Sequence, residues 1–330
     1  MQIFHKMITA VEFGNGYVNV GRAKKSRGRL IITSYFSQEC AEQFSTAKSL
    51  LEKIGTDVED IVVLNYPMDL LLFNTINVPG TLKEKQISNY ATMEISHLLN
   101  VPPEELVVET VVGPVNKAVV AVAKRKELYS FLTRLRQAGI PEPDVVIPDV
   151  FKYLLLVRIP DPSTVALCAF SFDYSIVGIY ISEKLVGLRT IPYSLQEVLN
   201  LIMEEIGFTK LELQSESSIN NFEKVSKMVE ALISDIPYVV ERELIFLLSG
   251  LQIGVSIRDI AKIYLLCDPS FLTGTFVKAF ESSEVFQGKV EKAQFKFETN
   301  NFPIGLAGML VRGGAEFGKN KLVQIQKTGS

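Results

Sequence analysis

The sequence predicts an α/β chain in which one opening pattern, three strands followed by a helix, occurs twice, with an α+β block inserted in the first half. Three observations predict it. β-Rich runs at residues 8–13 and 17–22 flank Asn15-Gly16, a strong hairpin signal because both residue types tolerate φ > 0. A third strand at 30–36 precedes a helix at about 44–54 and a strand at about 60–65. The same order returns at 165–172, 176–181 and 184–190, followed by a helix at about 194–206. Between the two copies, residues 73–147 alternate strand and helical periodicity within a short span, as a compact insertion does.

The insertion opens with a strand at 70–78 and a long helix from Thr81, where Thr81-Leu-Lys-Glu84 reads as a capping box and Pro102-Pro103 forbids continuation beyond Asn100. Strands at 106–112 and 117–123 follow, separated by Gly113-Pro114. Leu128, Phe131, Leu132 and Leu135 then mark one face of a helix that Gly139 terminates. A short strand at 144–147 leads into a buried helix beginning near Asp149. Two prolines in residues 158–163 make the clearest linker. Past the second copy, 207–254 is a smaller, largely helical piece; a strand at 261–267, a helix near 274–280, a strand near 290–297 and a final helix at 303–312 complete the chain. Residues 318–330 read as a loose tail. The expected division is 1–72, the insertion 73–147, a return and linker at 148–163, 164–206, 207–254, 255–317 and the tail.

Composition narrows the function. The 330 residues are 47% apolar, which excludes disorder, and three cysteines cannot build a disulfide scaffold. Cys40, Cys168 and Cys267 read as free thiols of a reducing compartment, so a cytoplasmic location is expected. Against 37 acidic residues stand 34 basic ones, and the net charge of −3 supplies no field for nucleic acid. The most apolar window, 164–181, contains Asp173 near its centre, which costs about 2.5–3.5 kcal/mol in a spanning helix, so it reads as two strands with a turn near Tyr174. With two histidines and no Gly-x-Ser-x-Gly, Walker or His-Glu-x-x-His motif, no catalytic residue is assigned. Glu94 and His97 lie one helical turn apart without a third ligand at metal spacing; they read as a surface pair, and no metal site is assigned.

Two local features remain. Glu12 at a strand end, followed by Gly14-Asn15-Gly16, could present backbone N–H groups to a phosphate while its carboxylate holds a metal-bound water; the alternative is an ordinary hairpin with an edge carboxylate. Arg22, Lys24, Lys25, Arg27 and Arg29 concentrate cations at the next hairpin tip, which reads either as a patch for anionic lipid or as a solvated tip that discourages edge pairing.

Several strings resemble the PilM family of type IV pilus assembly proteins, actin-like relatives of FtsA and of the cytoplasmic part of GspL. They are Phe73-Asn-Thr-Ile-Asn-Val-Pro79, the long helix at 81–100, Val101-Pro-Pro-Glu-Glu-Leu-Val-Val108, Val119-Val-Ala-Val-Ala-Lys-Arg-Lys126 and Leu135-Arg-Gln-Ala-Gly139. The resemblance implies a duplicated actin-like (ribonuclease H-like) ATPase fold with an inserted 1C subdomain of SHS2 type. It also implies a nucleotide site, and there the sequence departs from the family. Glu12 and Gly14 are kept, but Gly16 and Asn19 stand where a hydroxyl residue and a lysine belong, so a phosphate-facing cation is missing. The second loop, around Ser171 and Asp173, lacks its glycine. In the adenosine loop, Cys267-Asp268-Pro269 replaces a Gly-Gly pair, removing an N–H and adding negative charge. Glu12, Gly14, Asn15, Gly16, Asp173 and Asp268 are therefore the residues of a degenerate site, with no cofactor expected and Mg-ATP disfavoured.

The resemblance further implies a scaffold on the cytoplasmic face of the inner membrane that binds the N-terminal segment of a PilN-like bitopic protein near Phe73, Ile76, Val78 and Pro79, beside other pilus platform proteins. No membrane span of its own is expected, and self-association is left open. A working actin-like ATPase using Glu12 or Asp173, an FtsA-like filament and a type II secretion role are the alternatives.

Overall fold

The structure is a computed structural model that describes residues 7–26, 29–160, 163–207, 209, 222–295 and 302–316. It divides into two compact units, one of residues 1–69, 128–157 and 296–330, the other of 70–127 and 158–295.

In the first unit β1 (Ile8–Gly14), β2 (Tyr17–Ser26) and β3 (Arg29–Glu39) form an antiparallel meander, α1 (Gln43–Ile54) crosses over, and β4 (Ile61–Tyr66) returns parallel to β1. β1 and β4 are buried along their whole length, the mark of strands covered on both faces. At the hairpin Gly16 takes the positive φ of 77°, the conformation glycine adopts without steric cost.

The second unit contains the insertion. β5 (Leu71–Asn77), α2 (Glu84–Leu99), β6 (Leu106–Val112) and β7 (Lys117–Lys124) build a three-stranded sheet of order β5-β7-β6 with α2 on one face. The helix starts three residues later than the capping-box reading places it. Lys83 is the N-cap, and its N–H donates to the Gln86 side chain at 2.9 Å. Lys124 leads into α3 (Arg125–Gln137), and β8 (Val145–Pro148) adds a parallel edge to β4, so the first sheet reads β3-β2-β1-β4-β8. α4 (Phe151–Leu156) and the two-residue β9 (Val157–Arg158) follow.

β10 (Thr164–Ser171), β11 (Ser175–Ile181) and β12 (Lys184–Ile191) repeat the meander, so the most apolar window is two strands with a turn, as read. α5 (Gln196–Ile206), α6 (Phe222–Ile233) and α7 (Ile236–Leu251) precede β13 (Lys262–Asp268), which pairs parallel to β10. α8 (Thr273–Glu281), β14 (Val290–Lys292) and the short β15 (Gln294–Phe295) complete the unit. Its large sheet has the order β12-β11-β10-β13-β14, the same path as the first sheet with the same parallel and antiparallel neighbours. The duplication read from the sequence is present. α9 (Ile304–Glu316) returns to the first unit and packs on α4, β1 and β4. The polar stretch at 214–221 and the tail at 318–330 lie outside the described residues. Among those described, no helix is long and apolar enough to cross a membrane.

The β6–β7 hairpin turns through Val115 and Asn116, both at positive φ (52° and 57°), with Gly113 N–H donating to the Lys117 carbonyl at 2.8 Å. A β-branched residue is strained there by about 1–2 kcal/mol. Val115 is 53% exposed, so little packing offsets the strain. Val115→Asn should raise the urea unfolding midpoint, by about 1 kcal/mol in stability; an unchanged or lower midpoint would contradict the strain.

Candidate functional site

The first loop rests on a cluster of rings. Phe13 at the end of β1, Phe44 on α1, Phe131 on α3 and Tyr66 on β4 meet edge to face, with centroids 5.3–6.1 Å apart. Above them the Asn65 side chain ties β1 to β4, accepting from Phe13 N–H at 2.8 Å and donating to the Phe13 carbonyl at 2.9 Å.

Glu12 lies inside this frame, 1% exposed. Asn19, opposite it in the hairpin register, donates to one carboxylate oxygen at 2.9 Å, and Lys152 Nζ sits 2.7 Å from the other. Lys152, on α4 and 3% exposed, also pairs with Asp149 at 2.9 Å, and Asp149 accepts from Asn65 at 2.6 Å. Burial alone would lower the Lys152 pKa, but the fields of Asp149 and Glu12 outweigh it and hold the ammonium well above the usual lysine value. Two carboxylates against one ammonium leave this buried cluster one negative charge in excess.

The helix over the cluster must come close, and small residues permit it. A β-carbon on Gly305 would run into the Glu12 carboxylate, and one on Gly308 into the Lys152 carbonyl. Gly14 also serves packing. The Tyr17 ring covers the space that a side chain at Gly14 would fill, and the Gly14 carbonyl accepts from Gln43. Asn15 is exposed at the turn.

In the second unit, Ser171 and Asp268 end adjacent parallel strands and face each other in register, so the second and third loops meet. The Ser171 hydroxyl donates to the Tyr174 carbonyl at 2.7 Å and thus closes its own turn, while Asp173 is exposed. Asp268-Pro269 opens the next turn, and the Thr273 hydroxyl accepts from Cys267 N–H at 3.1 Å where α8 begins. Behind these loops Phe170, Phe276, Phe280 and Phe286 fill the core, with centroids 4.7 Å apart for Phe170–Phe276 and 5.4 Å for Phe280–Phe286. Burial pushes the Cys168 and Cys267 thiols far up.

Lys152 reaches Glu12 from a helix 140 residues away in sequence. Two sequence expectations need correction. Ile76 and Val78 do not face a partner; they are buried against Ile87, Ala91 and Ile95 of α2. Arg22 leaves the basic patch, since its guanidinium pairs with buried Asp60 at 2.8 Å. Lys24 is exposed and Lys25 half-buried; Arg29 opens β3, and Arg27 lies outside the described residues. Glu94 and His97 are both exposed on α2. Of the remaining partner residues, Pro79 is exposed and half-buried Phe73 lines a cavity of about 450 Å³. Its walls are Leu71–Thr75 of β5 and Leu188–Thr190 of β12, with Phe246 and Gly250 of α7 beside them; both strands are sheet edges.

Lys152 and Asp149 were missed because the cluster joins distant segments. Their spacing of three at a helix start, and that of Gly305 and Gly308, were the available signals.

Compared with solved structures, the chain is similar over 94% of its length to 99% of a chain of the PilM–PilN type IV pilus biogenesis complex, at 16% identity and a TM-score of 0.67. Its fold is PilM-like and actin-like. The cytoplasmic domain of EpsL, an inner-membrane component of the Vibrio cholerae type II secretion system, matches over 94% of both chains at 11% identity and a TM-score of 0.45. Ethanolamine utilization protein EutJ from Carboxydothermus hydrogenoformans matches over 92% of this chain and 89% of its own at 9% and 0.49. No family model and no curated protein matches.

Removing the Lys152 charge should leave two carboxylates buried without compensation. Lys152→Met is expected to cost about 3–5 kcal/mol in chemical unfolding, and adding Glu12→Gln and Asp149→Asn should recover most of it. Because the folded pKa of Lys152 is raised, its stabilisation is complete below the unfolded value of 10.5 and is lost as pH rises beyond it. Wild-type stability should therefore fall more steeply above that pH than that of the triple variant.

Proposed function

We propose that the chain is a PilM-like scaffold of an inner-membrane type IV pilus, or related type II secretion, assembly platform, and that it holds the N-terminal cytoplasmic segment of a PilN-like membrane protein. The likeness in fold over nearly the full length of both chains supports this reading. On this reading the protein sits at the cytoplasmic face of the inner membrane through its partner. The segment docks in extended form along the exposed side of β5, beside Leu72 and Phe73, where β5 is the outer strand of its sheet among the described residues and a cavity offers space.

The scaffold does not run on ATP. The observation that carries this is the closed first loop: the Tyr17 ring covers Gly14, and both oxygens of Glu12 are committed to Asn19 and Lys152. At the first loop a polyphosphate would also meet a cluster with excess negative charge, and the third loop, in the second unit, lacks an N–H at Pro269. These residues do not fit Mg-ATP, and no hydrolytic step is assigned to them.

Isothermal titration with Mg-ATP should give no saturable heat at micromolar to high micromolar nucleotide; a stoichiometric micromolar isotherm would refute the pseudo-ATPase reading. A peptide from the cytoplasmic N-terminus of a PilN-like protein should bind wild type. Leu72→Asp, at a position 53% exposed, should weaken it about tenfold or more. Absence of peptide binding would count against the scaffold itself.

A further inference from the structure

Among the described residues, β3 is the outer strand of the first sheet and pairs only with β2. Edge strands of natural proteins are usually short or carry charge, proline or a bulge, because unpaired N–H and C=O groups otherwise recruit another strand. β3 has one of these protections, a bulge at Thr33, but lacks the others between Leu30 and Gln38. It spans Arg29–Glu39, and from Leu30 to Gln38 it contains no charged residue, no proline and no glycine. Its composition, Leu-Ile-Ile-Thr-Ser-Tyr-Phe-Ser-Gln, favours extended pairing. Ile31 and Tyr35 remain 43% and 41% exposed, although the Tyr35 ring packs against Phe302 at 5.0 Å.

Charge at the strand ends is asymmetric. Lys24 and Lys25 stand near the end of β2 and β3 opens at Arg29, whereas the other end of β3 carries Glu39 and, three residues on, Glu42, both exposed. A parallel second copy would set like charges side by side. An antiparallel copy sets the basic tip of each strand beside the acidic end of the other, twice over by symmetry.

We propose that β3 is a self-association edge, at which two copies of this chain pair their β3 strands antiparallel and continue the sheet across a two-fold axis. The basic tip then serves as an electrostatic clamp on Glu39 and Glu42 of the partner copy. A bulge at Thr33, which has no counterpart in β2 and whose hydroxyl donates to the Arg22 carbonyl at 3.0 Å, adds twist at the middle of the strand. The alignment of the two copies is accordingly set by the charged ends.

Sedimentation of the full chain between 1 and about 100 μM, at low and high salt, tests this. A reversible dimer that salt weakens is expected. Ile31→Lys and Gln38→Lys, both on the exposed edge, should each weaken it about tenfold or more while leaving the thermal unfolding midpoint near that of wild type. Glu39→Arg should weaken it as well, and Glu39→Arg combined with Arg29→Glu should restore it, which a merely structural role for either residue would not produce. A monomer at every concentration overturns the proposal, and so does a dimer indifferent to these substitutions. Binding of monomeric protein to phosphatidylserine vesicles, lost when Lys24 and Lys25 are neutralised, would also overturn it and assign the basic tip to the membrane.

Discussion

One ammonium group organises the first unit. Lys152 reaches from α4 to two carboxylates on different segments, Glu12 in β1 and Asp149 just before its own helix, and Asn65 joins the second of these to the backbone of β1. A charge so deeply buried is tolerable only when its partners hold it from several directions. That requirement propagates outward. α9 must lie almost directly on the cluster, so it carries glycine at positions 305 and 308, and the hairpin below must present Asn19 opposite Glu12. Strand register, helix packing and the polar cluster are parts of one constraint.

The two sheets follow the same path, yet their loops are held differently. In the first unit the strand ends are held by ions and amides above an aromatic cluster. In the second, Phe170, Phe276 and Phe280 do the packing, while hydroxyl groups of Ser171 and Thr273 fasten the turns. In both units polar side chains hold the loops themselves. Such a framework is suited to presenting edges and surfaces. β3 and β5 are outer strands of their sheets, and both carry exposed apolar side chains.

The fold was legible wherever the information was local. Alternation, Asn-Gly and Gly-Pro turns and the linker prolines report on a few neighbouring residues, and the meanders, the insertion and the repeat all follow from them. Even the error at α2 was local: Thr81 and Glu84 have capping-box spacing, but Gln86 meets the Lys83 N–H and shifts the start. The partner residues were harder. Ile76 and Val78 stand among residues of similar type on β5, and only the position of α2 decides that they face inward while Leu72 faces out.

The sequence by itself determined the order of elements and the duplication, because each depends on residue type at short spacing. Tertiary structure alone decided which charges meet. Glu12 and Lys152 are 140 positions apart, as are Asp149 and Asn65 by 84, and no periodicity links them. Pairing of buried charges depends on distances of about 3 Å, over which the interaction is strong in a poorly polarisable interior. Such distances arise only after strands and helices have been set against one another, so the state of the first loop became visible only in the folded chain.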